Sequence, residues 1–222
     1  MSHASLQYPK KSHRKKSVVL PKESAKLAEF FGIMLGDGGI NNLWQANVTM
    51  NAVKDAAYSR YVAQTMKELF GISPAMRKRK DRQALVISLA SIAVVDFLVS
   101  RGLPRGNKLR AGAHIPAWIT AKPSLLKACV RGLVDTDGCI FVHRHKVAGK
   151  EYKNIGLCFT SYSPQLLRQV GDAFEQFGIM PHISAKGRDI YLYEESAVAH
   201  YLRVFRTSNP RIGSVYKKWR DG

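Results

Sequence analysis

Two nine-residue segments of this chain share one pattern, FFGIMLGDG at Phe30–Gly38 and VRGLVDTDG at Val130–Gly138. Each is an apolar run with a Gly in third place, a small residue (Gly36 or Thr136) in seventh, and a terminal Asp-Gly. The acidic residues, Asp37 and Asp137, stand a hundred positions apart. That spacing divides the chain into two units of small-domain size. Leu27, Phe30, Phe31, Met34 and Leu35 recur at helical intervals, as do Leu125, Leu126, Val130, Leu133 and Val134. Pro123 opens the second run, and glycine follows each Asp where a helix should stop.

The landmarks after each motif also match. Strand-like residues follow, at Ile40–Asn51 and Ile140–Thr160, with turn candidates at Asn41-Asn42 and Ala148-Gly149-Lys150. Helices are predicted over Tyr58–Phe70 and Pro164–Phe177, and they run into Phe-Gly-Ile at Phe70 and Phe177. Further strands are expected at 75–80 with 84–89 and at 182–186 with 189–193, then helices near 91–101 and 195–205. Each unit therefore reads helix, hairpin, helix, hairpin, helix, a pattern of internal duplication. The expected organisation is a basic, unstructured arm at 1–20, an N-terminal half at 21–108, a linker at 109–122 and a C-terminal half at 123–222. The arm carries Lys10, Lys11, Arg14, Lys15 and Lys16 and no acid.

A carboxylate at a helix C-terminus meets the negative end of the helix dipole. Two such ends brought together raise each other's pKa. Gly32 and Gly36, like Gly132 and Thr136, lie four apart on one helix face, so the two helices can pack closely. Paired carboxylates of this kind call for a hard divalent cation such as Mg²⁺, with Mn²⁺ or Ca²⁺ suited to the same oxygen donors. Beside a phosphate they would form the parts of a metal-assisted phosphodiester hydrolase.

Charge points to the partner. Lys plus Arg number 35 against 16 Asp plus Glu, a formal charge of +19. Such an excess favours a polyanion, and binding that weakens steeply with salt. No apolar run is long enough to span a membrane, and the basic N-terminus lacks a secretory core. Three cysteines without a CxxC pair suit a reducing intracellular setting, cytoplasmic or organellar. Cys139, His143 and His145 lack partner ligands at zinc-finger spacing.

The two motifs resemble those of the LAGLIDADG homing endonucleases, and the resemblance spans residues 20–222. It implies an α+β fold of two pseudo-symmetric αββαββα halves. The motif helices would form the interface, and the antiparallel sheets a saddle over the major groove. It implies a monomer that cuts both strands of a long, asymmetric duplex target with a divalent metal, leaving short 3′ overhangs. Asp37 and Asp137 become the catalytic metal ligands, with the carbonyls of Gly36 and Thr136 as secondary ligands. Lys108 falls where the family places a lysine near the metals; in the second half Pro210 takes that place and Arg211 is the nearby candidate. Asn51 and Ser161 are the candidates for orienting water. The first acidic position of the motif is Leu35 in one copy and Asp135 in the other, a position of structural role in the family.

DNA-reading candidates follow from strand alternation and side-chain chemistry. In the N-terminal half they are Asn41, Asn42, Trp44, Gln45, Asn47, Thr49, Arg77, Lys78, Arg79, Lys80, Arg82 and Gln83. In the C-terminal half they are His143, Arg144, His145, Lys146, Lys150, Lys153, Asn154, Lys186, Arg188, Tyr191 and Tyr193. The aromatics are spaced mostly like core residues, which favours duplex DNA over single-stranded RNA. The alternatives are an intron-RNA maturase and a non-cleaving DNA-binding regulator; the regulator would be expected to have lost an Asp. An intein reading is disfavoured because little length remains for a splicing domain, and a free-standing intron-encoded enzyme is simpler.

Overall fold

A computed structural model describes residues 18–221. Most of the expected basic arm, with its five cations, lies outside the described residues. Its last residues do not hang free: Val18 packs against the core, and the Val19 amide donates to the Phe70 carbonyl at 3.1 Å.

Helix α1 (Ala25–Gly36) starts at Ser24, whose hydroxyl accepts from the Leu27 amide, satisfying an otherwise orphaned donor. Strands β1 (Gly38–Gly39) and β2 (Gln45–Asn51) follow, then α2 (Ala56–Phe70), β3 (Ala75–Lys78), β4 (Ala84–Ala90) and α3 (Ile92–Ser100). A short helix, α4 (Ala117–Thr120), lies in the connector. The second half repeats the order: α5 (Pro123–Asp137), β5 (Gly138–Val147), β6 (Lys150–Thr160), α6 (Pro164–Gln176), β7 (His182–Ile183), β8 (Asp189–Leu192) and α7 (Glu195–Val204). Both sheets are four-stranded and antiparallel, with the same strand order, β1-β2-β4-β3 and β5-β6-β8-β7.

Three expectations are corrected. The first strand of the N-terminal hairpin is only Gly38–Gly39, and Ile40–Trp44 forms a loop, with the Asn42 side chain accepting from the Trp44 amide. The C-terminal hairpin turns on two residues, since Lys150 already pairs with Val147. Ala148 and Gly149 both take positive φ there, 48° and 80°, as a tight hairpin turn demands. A further helix, α8 (Pro210–Arg220), follows α7. Asn209 caps it and Pro210 fills its first turn, a start signal that the expected layout passed over.

The seam between the halves is α1 against α5. A Cβ on Gly32 would lie 2.0 Å from the Cys129 carbonyl oxygen, and one on Gly132 would lie 2.3 Å from that of Glu29. The helices therefore touch backbone to backbone, and only glycine fits at either crossing point. The hydrophobic core runs continuously through both halves, from Phe30, Phe31 and Phe70 to Phe159, Phe174 and Phe205.

Candidate metal centre and nucleic-acid face

The seam delivers both motif acids to one end. A Cβ on Gly36 would fall 2.0 Å from Thr136 Oγ1 and 3.1 Å from Asp137 Oδ2, so the Asp137 carboxylate lies against the end of the opposite motif helix. Burial pushes Asp37 up to about 6, opposed by Lys108 and reinforced by Asp55. Burial, and then the charge of Asp37, push Asp137 up to about 7. Asp137 is nevertheless exposed by surface area while Asp37 is half-buried. Crowding by protein atoms and access for water coexist at Asp137, and solvent screens its shift more than that of Asp37.

Lys108 joins the two acids. Its ammonium donates to the Leu35 carbonyl at 2.8 Å and to the Gly36 carbonyl. Burial lowers its pKa, and the two aspartates oppose that. A cavity of about 320 Å³ opens beside it, lined by Gly36, Lys108, Asp137, Ser161 and Tyr162 among others. Among the described residues no cluster of three or more His, Cys, Asp or Glu forms a complete metal cage. Two carboxylates with neighbouring carbonyls, open to solvent, fit a hard cation that keeps water and phosphate in its shell.

Asn51 and Ser161 occupy equivalent turns. Asn51 Oδ1 accepts from the amides of Val53 and Lys54, and Ser161 Oγ accepts from that of Ser163. Both side chains therefore brace the turn before a helix, and Ser161 also lines the cavity. Arg211 does not mirror Lys108: its Nε donates to Asp55 Oδ1 at 2.9 Å.

Behind the seam lies a buried polar network that the sequence pattern does not reveal. The Glu29 carboxylate accepts from Tyr61, Ser208 and Arg131. Asp135 accepts from the Thr207 hydroxyl and the Ser208 amide, and its carbonyl accepts from Asn209 at 2.9 Å. Burial pushes Asp135 up to about 7 despite these donors. One sequence signal was available: Glu29 is an acid inside an apolar helix.

Register sorts the candidate DNA readers. In β2, Ala46, Val48 and Met50 face the core, so Gln45, Asn47 and Thr49 face the open side. Asn47 shares a row with Ser88, and Thr49 shares one with Val86 and Arg77. Lys78 aligns with Leu85 and Met50, on the helix-packed side at the exposed edge. Arg79 and Arg82 are paired with Asp81, which neutralises part of the basic hairpin tip; Lys80 stands at the same exposed tip. Gln83 uses its carbonyl to hold the Ala52 amide. Asn41 and Trp44 are exposed or nearly so in the loop before β2.

In the C-terminal sheet His143 pairs with Asn154, His145 with Tyr152 and Cys158 with Tyr191, all in open-face rows. Arg144, Lys146 and Lys153 fall in the rows between, on the side of Val142 and Ile155, so register turns them away from the open face. Arg144 is paired with Glu151 at 3.5 Å. Lys150 lies over the Tyr152 ring and Arg188 over that of Tyr162, and Lys186 is exposed in the β7–β8 turn. The aromatics here are not core-like. Tyr191 and Tyr193 stack at 5.2 Å, His143 and His145 at 5.3 Å, and His145 and Tyr152 at 5.6 Å.

Known proteins share this fold. Residues 124–210 match the family model of the LAGLIDADG-like domain. The structure of I-SmaMI bound to an uncleaved DNA target with calcium ions superposes with a TM-score of 0.60, at 12% identity, over 90% of each chain. The LAGLIDADG homing endonuclease I-LtrWI bound to target DNA does so with a TM-score of 0.59, at 12% identity, over 89% of each chain. A 113-residue stretch is 29% identical to part of an A-type ATP synthase polypeptide of Pyrococcus abyssi. That stretch is 51% of this chain, and the chain spans only 10% of the length of that curated relative. Fold and seam define a two-motif architecture in which paired helices carry one acid each to a shared cleft. Residues 124–210 thus carry a LAGLIDADG-like domain, and the chain as a whole has the fold of the LAGLIDADG homing endonuclease structures it superposes on.

Proposed function

We propose that this protein is a site-specific, divalent-metal-dependent endonuclease that makes a double-strand break in a long, asymmetric DNA duplex. The observation that carries the reading is the convergence of Asp37, Asp137 and Lys108 at one end of the α1–α5 seam. Asp37 with the Thr136 carbonyl, and Asp137 with the Gly36 carbonyl, would hold the cations, Mg²⁺ in the cell. When bound, the metal neutralises the carboxylates and makes water a stronger nucleophile. Lys108 supplies fixed positive charge beside the scissile phosphates. In the hydrolysis, water oxygen bonds to phosphorus, the bond from phosphorus to the 3′ oxygen breaks, and that oxygen gains the proton. The open rows of the two sheets, different in chemistry, would read two unlike half-sites. We further read 21–108 and 123–222 as the two halves, the 109–122 segment as linker, and the molecule as an intracellular, intron-encoded monomer. Among the described residues no helix is long and apolar enough to cross a membrane.

The deciding experiment is incubation with a randomised duplex library and Mg²⁺, followed by sequencing of the cut ends. A single preferred site is expected, lost with EDTA and in Asp37→Asn and Asp137→Asn. Binding without site-specific cutting would overturn the nuclease reading. One observation favours a second role in intron RNA assistance: the stacked Tyr191–Tyr193 and His143–His145–Tyr152 rings offer surfaces on which unpaired bases can stack. Binding of single-stranded RNA in competition with the selected duplex would support it.

A further inference from the structure

The two ends of the cleft are not chemically equivalent. At one end Lys108 is held only by carbonyl oxygens, Leu35 and Gly36, beside an open cavity that reaches Asp137. Among the described residues it has no ion-pair partner. At the other end the nearby cation is Arg211, and both its side chain and its backbone amide are engaged. Its Nε is bonded to Asp55 Oδ1. Its amide donates to Asn209 Oδ1 at 3.0 Å. Asn209 is itself fixed to the Asp135 carbonyl and lies 3.5 Å from Asp55 Oδ1. Asp55 and Arg211 act on the charge of Asp37 in opposite senses, and Lys108, whose larger charge partner is Asp137, reaches Asp37 as well. A cation already neutralised by a carboxylate offers little to the charge that develops on a phosphate in the transition state.

We infer that Asp55 is a positioning residue that holds Arg211 away from the phosphate at the Asp37 end, so that the two strands are cut in a set order, the Lys108–Asp137 side first. This rests on the nuclease reading above. Each cut is the same balanced hydrolysis; only the cation that steadies the developing charge differs.

The test uses the full chain and a supercoiled plasmid bearing the selected target, with each strand end-labelled in parallel. Wild-type protein is expected to accumulate nicked circles with the nick on one strand. The rate gap between strands should be about tenfold, which corresponds to about 1.4 kcal/mol in barrier. Lys108→Met should slow that first strand most. Asp55→Asn should free Arg211 and speed the second strand, and Asp55→Asn combined with Arg211→Met should return it to its slow rate. A merely structural role predicts that Asp55→Asn slows both strands together and that adding Arg211→Met makes no strand-specific difference. That result, or equal strand rates in the wild type, overturns the inference. Loss of all site-specific cleavage by wild-type protein would instead count against the nuclease reading.

Discussion

At Gly132 a single methyl group decides whether the halves can meet. Its place is already taken by the Glu29 carbonyl, 2.3 Å away, and backbone cannot rotate aside as a side chain can. Gly132→Ala should therefore cost about 2–3 kcal/mol as an overpacking defect, read by denaturant unfolding. It should also impair metal binding, because the same seam sets the spacing of the acids. Asp37 makes a different prediction. Its carboxyl holds its proton to about pH 6 when folded, against 3.8 as the ordinary value. The native state thus binds more protons than the denatured one across that window, and metal-free stability falls as pH rises through it. Asp37→Asn should remove that fall and stabilise the metal-free protein at pH 7.5 by about 1–2 kcal/mol, after allowance for solvent screening. Thermal melts at pH 4.5 and 7.5 in EDTA would show a gain that is clearly larger at the higher pH.

Among the elements, the motif helices were the most legible in the sequence, because apolar spacing, a capping Ser24 and a terminal glycine all agree. The hairpins were legible in number but not in facing. Arg144 and Lys153 read as groove contacts because they are basic; their pairing with each other puts them in a core-side row. Composition carries charge, whereas register carries direction, and register depends on a partner strand that the sequence does not align. Helix α8 was missed for the opposite reason, since its cap and proline were visible but lay beyond the repeat. The Asp55–Arg211 pair joins residues from opposite halves, which no local pattern reveals. Because Tyr191 stands on the open face, Tyr191→Ala should weaken binding to the selected duplex by about three- to tenfold, the range of one aromatic contact. Lys153→Ala should change it by less than about twofold, in keeping with a solvent-screened charge. Fluorescence anisotropy at one salt concentration would separate the two.

The whole molecule is a near-symmetric frame with an asymmetric interior. Strand order is the same in both sheets, yet the second hairpin is far longer than the first. One sheet shows amide, hydroxyl and guanidinium groups on its open face, and the other shows stacked rings. The duplicated frame could be inferred from two matching motifs. The departures from symmetry could not, because they arise where the copies have diverged. The seam carries one more implication. Its helices are joined by reciprocal glycine crossings, by the Glu29–Arg131 ion pair and by a continuous core, none of which needs the chain to pass from one half to the other. The connector around Arg110–Gly112 is exposed. Separately expressed 1–111 and 112–222 should thus find each other and co-purify as a one-to-one pair. Covalent continuity would then serve mainly to guarantee that each half meets its unlike twin and not a copy of itself.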